Sequence, residues 1–318
     1  MIETRDLNRR ALIRTAVAGT AVATGLAAAG RAAAAPAADR SGNGTFRWFG
    51  TSGWRIDVNG RTVLVDPYLT RYPTGLFTGA FDPATPLQAD PDAIGPRIGK
   101  PETVLVTHTH WDHFNDVPHI AKTVAGVRVL GTLTAYHLAL ASGVPGGQAI
   151  PVKGGEYLDF GDYTVEVIAA LHSRNAAYSL AFPGVRVAQP PAPQTIADLP
   201  EGDTLAYQVT IAGGPKVFFM GGSDFVGRNL TGLAPDVAMV ALPSGGVVHD
   251  FTARLLTALD HPRVVVPVHW DNFETPLHNP PAVAASDKAK LDAFVAAIHQ
   301  ASPRARVLMP EYDTPYTF

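Results

Sequence analysis

The densest group of chemistry-capable side chains is the run Thr107-His108-Thr109-His110-Trp111-Asp112-His113. His108 and His110 stand two apart, so on an extended segment both side chains leave from one face. Asp112 and His113 follow on what reads as the turn before a helix. Imidazoles and a carboxylate this close together make a poor core and a wasteful surface. Neutral imidazole and carboxylate do suit zinc or another first-row metal. The chain has no cysteine, which removes thiolate ligands, thiolate nucleophiles and disulfides. It also lacks a Gly-x-Ser-x-Gly elbow, which agrees with chemistry that needs no side-chain nucleophile.

This run resembles the H-x-H-x-D-H signature of the metallo-β-lactamase superfamily, and the resemblance extends from the hairpin at residues 50–66 to the end of the chain. It implies an α/β fold, an αββα sandwich of two mixed β-sheets flanked by helices. It also implies two divalent metal ions, zinc first, with Mn2+ or Fe2+ as alternatives. By the resemblance, His108, His110 and a later histidine hold one ion. Asp112, His113 and a final histidine hold the other, and an aspartate bridges the two. His172, which follows an apolar strand, matches the third histidine. His269, ending the run Val266-Pro267-Val268, matches the last.

The expected bridge is Asp224. The family carries Gly-Asp-Thr/Ser directly after an apolar strand, whereas Gly221-Gly222-Ser223-Asp224 places the carboxylate two residues late. Without the bridge, the second ion would be weakly held and one ion could suffice. Asp66, closing the strand at 62–65, matches a family aspartate beside the site and is expected to support it without ligating. Asp112, besides ligating, is expected to orient the attacking hydroxide and take a proton, the catalytic role in this reading. His249, reached through Ser244-Gly245-Gly246, is a further candidate to face the pocket.

The resemblance implies a hydrolase acting on an ester, lactone or phosphodiester. Motif order and the ending His269-Trp270-Asp271-Asn272-Phe273 are similar to a branch of ascorbate-phosphate lactonases and phospholipase-D-like phosphodiesterases. Fold alone does not fix substrate. Two other classes stay open. One is a catalytically degenerate binding protein, supported by the displaced Asp224. The other is a redox enzyme carrying iron, which usually needs a flavin domain or a carboxylate in place of a histidine, neither of which is visible.

Elements must hold these groups in place. Short β-rich runs at 45–49, 53–58 and 62–65, with Asn59-Gly60 between the last two, predict a hairpin. Residues 69–100, rich in Pro and Gly with Tyr72, Phe77 and Phe81, read as a long loop of functional type, and its aromatic part at 68–81 hints at a substrate with apolar parts. A buried strand at 102–106 leads into the histidines, and Asp116 is expected to cap a helix at 117–125. Further strands are predicted at 127–130, 157–160, 163–169, 204–211, 216–220, 237–242, 263–268 and 306–309. Helices are predicted at 135–142, 251–259 and 283–301, and a Pro-rich insertion at 189–200. Strands followed by helices, twice over, predict two sheets face to face within one domain at 45–318.

The first 37 residues read differently. Asn8-Arg9-Arg10-Ala11-Leu12-Ile13-Arg14 precedes an Ala-, Val- and Gly-rich run and small-residue cleavage sites around Ala35. This resembles a twin-arginine-type signal peptide, so the protein is expected to be secreted or held in the cell envelope, with 38–44 as a linker. No run reaches the roughly 20 apolar residues of a membrane span. Removing 1–37 leaves 20 basic and 26 acidic residues, net −6, with no Lys/Arg cluster to track phosphates. The expected partner is therefore a small-molecule substrate, with no nucleic acid and no membrane anchor. The oligomeric state is open.

Overall fold

The computed structural model describes residues 44–243 and 247–318. The signal-peptide reading (1–37), nearly all of the 38–44 linker and Ser244-Gly245-Gly246 lie outside the described residues. Six strands of the first half are β1 (Thr45–Trp48), β2 (Trp54–Val58), β3 (Arg61–Val65), β4 (Pro101–Leu105), β5 (Arg128–Gly131) and β6 (Ala149–Pro151). The second half supplies β7 (Tyr157–Asp159), β8 (Tyr163–Ala170), β9 (Thr204–Ile211), β10 (Lys216–Met220), β11 (Val237–Ala241), β12 (Val264–Val268) and β13 (Arg306–Val307). A last strand, β14 (Pro315–Tyr316), returns to pair with β1. The result is two seven-stranded sheets, ordered β14-β1-β2-β3-β4-β5-β6 and β13-β12-β11-β10-β9-β8-β7.

Both sheets are mixed. Antiparallel pairing links β1, β2 and β3, and parallel pairing carries on to β6. In the second sheet β7 to β10 are antiparallel, and β10 to β13 are parallel. The alternation in β2 sends Trp54, Ile56 and Val58 inward, where they join Val165, Tyr207, Val209 and Phe219 of the facing sheet in one core. Trp54 meets Phe219 edge-on at 6.4 Å between ring centroids. The sheets are also tied polarly, since the Tyr207 hydroxyl donates to Val106 O at 2.8 Å.

Helices cover the outer faces. Those of the first half are α1 (Pro91–Ile98), α2 (Trp111–Phe114), α3 (Val117–Thr123) and α4 (Leu133–Ala141). Ile94, Ile120 and Leu138 pack with Leu64, Val104 and Val106 in a second core on the back of the first sheet. The second half carries α5 (Gly227–Leu230), α6 (Phe251–Ala258) and α7 (Ala285–Ala301), with Leu255, Leu256, Phe294 and Ile298 packed against the main core. The αββα arrangement expected from the sequence is the one observed.

Two local expectations need correction. The stretch 69–100 is not all loop, because α1 starts at Asp90, whose carboxylate accepts from Asp92 N and Ala93 N, with Pro91 in the first turn. Asp116 does precede α3 but caps nothing. Its buried carboxylate instead accepts from Leu69 N (2.6 Å), Thr70 N (2.9 Å) and Thr70 Oγ1 (2.6 Å), so it ties the start of the long loop to the histidine motif.

Candidate metal centre

The site lies beyond the carboxyl ends of strands from both sheets, where side chains face an open rim while the backbone is fixed. After β4 come His108 and His110, and α2 carries Asp112 and His113. His172 follows β8, and His269 follows β12. These six residues fall into two triplets. His108, His110 and His172 form one, and Asp112, His113 and His269 the other; within each, the ligand-capable atoms lie within 4.8 Å of one another. Each triplet takes two members from the first sheet's side and one from the second's.

Hydrogen bonds fix which ring nitrogen faces inward. His110 Nε2 lies 2.9 Å from Ala181 O, and His172 Nδ1 lies 2.9 Å from Ser173 O. A carbonyl oxygen only accepts, so these nitrogens carry the protons, and His110 Nδ1 and His172 Nε2 keep lone pairs. His110 Nδ1 points at His108 Nε2, 3.2 Å away. Two imidazole nitrogens converging this closely suit a shared cation. In the second triplet His113 Nδ1 donates to Asp66 Oδ2 at 2.8 Å, which turns Nε2 inward. His269 Nε2 lies 3.0 Å from Asp112 Oδ2.

Protonation follows burial and charge. Burial, followed by the neighbouring His113, His110 and His172 rings, holds His108 well below its usual range. Burial, joined by His172, lowers His110 to about 3. Burial likewise lowers His172, so the first triplet presents neutral imidazoles with free lone pairs. In the second triplet burial opposes the Asp112 charge, but His113 and His269 outweigh it and keep the carboxylate well below its normal range. Burial also pulls His113 down, yet Asp112 and Asp66 on either side raise it to about 10. Two carboxylates thus favour a cation at the position of His113.

The residues fit a metal pair. His113 Nε2 is buried without a hydrogen-bond partner, 3.4 Å from Asp112 Oδ2, an arrangement that costs free energy unless a cation satisfies it. The donors are imidazole and carboxylate, and the outward nitrogens of His110, His172 and His113 are each held by an oxygen, as ligating histidines characteristically are. Asp66 is fully buried and supports as expected. Besides His113 it binds Thr107 N at 2.7 Å and Thr107 Oγ1 at 2.5 Å.

The structure does not bring Asp224 to either triplet. Its carboxylate accepts from Phe225 N at 2.8 Å, and its backbone exchanges hydrogen bonds with Leu171. The backbone at the two glycines before it is crowded as well. A Cβ at Gly221 would sit 2.0 Å from Thr107 Oγ1 and 2.7 Å from Asp66 Oδ2, and one at Gly222 would sit 2.9 Å from Leu171 O. At these two positions the backbone passes too close to both walls for a side chain, so neither could carry a carboxylate. His249 is exposed and belongs to neither triplet.

One supporting group has no sequence signature. Asp271, two residues past His269, forms a buried ion pair with Arg71 from the long loop, the side chains being 1% and 0% exposed. Asp271 also accepts from Thr51 N (2.9 Å) and the Tyr312 hydroxyl (2.9 Å), while Thr51 O accepts from His269 N at 2.8 Å. His269 is held at φ +62°, a left-handed conformation uncommon outside glycine, and this network over-determines it.

Both triplets border a cavity of about 310 Å³, walled by Leu76, Phe81, Trp111, Phe182 and Phe273. Against this geometry, the family model described as the beta-lactamase superfamily domain matches residues 61–270, which includes every member of both triplets. The chain belongs to that superfamily. Among curated relatives, a UPF0173 metal-dependent hydrolase of Polynucleobacter asymbioticus is 29% identical over 266 residues, covering 74% of this chain and 78% of its own. Another of the same description, from Pyrobaculum neutrophilum, is 27% identical over 232 residues, covering 71% and 84%. Among solved structures, Igni18, described as a novel metallo hydrolase from Ignicoccus hospitalis, aligns with TM-score 0.53 at 20% identity, covering 87% of this chain and 98% of its own. That last likeness speaks for the fold alone.

Proposed function

We propose that this chain, a metal-dependent hydrolase of the beta-lactamase superfamily, holds one metal ion on His108, His110 and His172 and a second on Asp112, His113 and His269. The reaction proposed is hydrolysis of an ester, lactone or phosphodiester bond. The observation that carries this is the pair of adjacent triplets, each with its donor atoms gathered within 4.8 Å. When bound, such ions supply a water acidified toward neutral pH and polarise the substrate oxygen. The chain's own residues do the rest. Asp112, kept ionised beside His113 and His269, is placed to orient the attacking water by hydrogen bond. Aromatic rings wall the cavity, Asp66 fixes the His113 imidazole in angle, and Asp271, through Thr51, holds the backbone of His269.

Zinc is the proposed ion, since the donors are nitrogen and oxygen with no thiolate. Asp224 is not part of this proposal, so each ion rests on three protein ligands. Export by the twin-arginine-type signal, read from the Arg9-Arg10 run and the Ala-rich segment after it, is proposed as well.

The test is metal content and turnover together. Protein saturated with zinc and desalted should carry two equivalents by mass spectrometry and hydrolyse p-nitrophenyl acetate or bis(p-nitrophenyl) phosphate, and chelation should abolish both. One equivalent or none at saturation, with turnover no faster than free zinc, would reject the proposal.

A further inference from the structure

The rings around the cavity bear on what the site accepts. Phe81 lies 5.8 Å from Trp111 and 6.0 Å from Phe182 between centroids, and Trp111 lies 6.0 Å from Phe182 and 6.4 Å from Phe273. The wall directly abuts both triplets, for Phe182 is 6.1 Å from the His110 ring and Phe273 is 5.3 Å from the His269 ring. It is assembled from four separate segments: the long loop (Phe81), α2 (Trp111), the 171–187 segment (Phe182) and the turn after β12 (Phe273). Phe81 remains 38% exposed and Leu76 40% exposed, so apolar surface faces the mouth without an internal partner to cover it fully.

Charge and size narrow the choice further. Among the described residues, no lysine or arginine lines this cavity. The nearby Arg71 guanidinium is consumed by Asp271 and buried. Within this cavity, apart from the metals, a permanently anionic group would find no lysine or arginine and would face the Asp112 carboxylate; Lys153 and Arg174 line only the adjoining pocket that shares His172. The volume of about 310 Å³ sits at the low end of ligand cavities, which run from about 300 to 1,000 Å³.

We infer that the substrate is an uncharged carboxylic ester or lactone carrying a compact aromatic or branched apolar group beside its carbonyl, seated on the Phe81–Trp111–Phe182–Phe273 wall. The inference rests on the hydrolase reading above and makes the phosphodiester the disfavoured member of that list. In the reaction, the oxygen of water bonds to the carbonyl carbon and the bond from that carbon to the leaving oxygen breaks. The leaving oxygen takes a proton from the water, giving an acid and an alcohol, or a hydroxy acid from a lactone.

The experiment uses zinc-loaded full-length protein, wild type beside Phe81→Ala and the milder Phe182→Leu, with metal content measured for each. Methyl phenylacetate, methyl acetate and bis(p-nitrophenyl) phosphate are compared as substrates. Binding of phenylacetamide, which is not readily hydrolysed, is followed by calorimetry. We expect kcat/KM for the phenylacetate to exceed that for the acetate by about tenfold or more, from burial of the ring. Phe81→Ala should remove most of that preference and weaken phenylacetamide binding several-fold at unchanged metal content. Because Phe81 is partly exposed and Phe182→Leu keeps bulk, a folding defect in both is not expected. Equal turnover of the two esters, or faster cleavage of the phosphodiester, would overturn the inference and leave the hydrolase reading standing. Silence on all three substrates at full metal content would overturn the hydrolase reading and this inference with it.

Discussion

The buried Arg71–Asp271 pair offers a quantitative test of how His269 is held. Arg71→Met keeps most of the stem's packing and removes the charge. Asp271 then remains fully buried with only two neutral donors, Thr51 N and the Tyr312 hydroxyl, at 2.9 Å each. Breaking one side of a buried ion pair costs about 3–5 kcal/mol, and the surviving hydrogen bonds place this case near the lower end. At about 2 °C per kcal/mol for a chain of this size, the melting temperature should fall by about 6 °C. The double variant Arg71→Met/Asp271→Asn removes the stranded charge and should recover part of the loss. The assay is thermal unfolding by circular dichroism, with and without saturating zinc. A single variant that melts within about 2 °C of wild type, or a double variant no better than the single, would refute the reasoning.

Three further outcomes are expected. His113→Ala and His269→Ala should each lower zinc content from two equivalents to one, whereas Asp224→Ala should leave it unchanged by mass spectrometry, because the Asp224 carboxylate is turned to Phe225 N. Asp66→Asn, which takes the charged acceptor from His113 Nδ1, should weaken zinc binding at the second triplet by about 10–100-fold in competition with a chromophoric chelator. Asp90→Ala should cost about 1 kcal/mol, lowering the melting temperature a few degrees with metal content intact, since it removes only the cap of α1.

The strands and the six clustered donors were legible because each has a local cause. Apolar runs with period two gave β2 and β8, and Asn59-Gly60 marked the turn between β2 and β3. His108, His110, Asp112 and His113 sit within six residues, and His172 and His269 each directly follow an apolar strand. What was not legible depends on partners far apart in the chain. Arg71 meets Asp271 only because the long loop folds back onto the turn after β12, and no periodicity records that. Asp116 looked like a cap by its place before α3, but its carboxylate was drawn to the backbone at Leu69 and Thr70. The short β6 and β14, of three and two residues, carry too little pattern to separate from loop. Asp224 misled for a different reason. Sequence shows that a carboxylate is near, while the pairing of its backbone with Leu171 and the turn of its carboxylate to Phe225 N appear only in three dimensions.

Each triplet draws its members from both sheets, which gives the site a mechanical role as well as a chemical one. Ions bound there would act as a clasp between the two halves of the sandwich, closing a loop of sequence that runs from His108 to His269. Every metal bound to the folded chain and not to the unfolded one adds to its stability by mass action. Chelation should therefore loosen the joint between the sheets at this rim, where the two triplets stand, before it disturbs the apolar interior that holds Trp54 against Phe219.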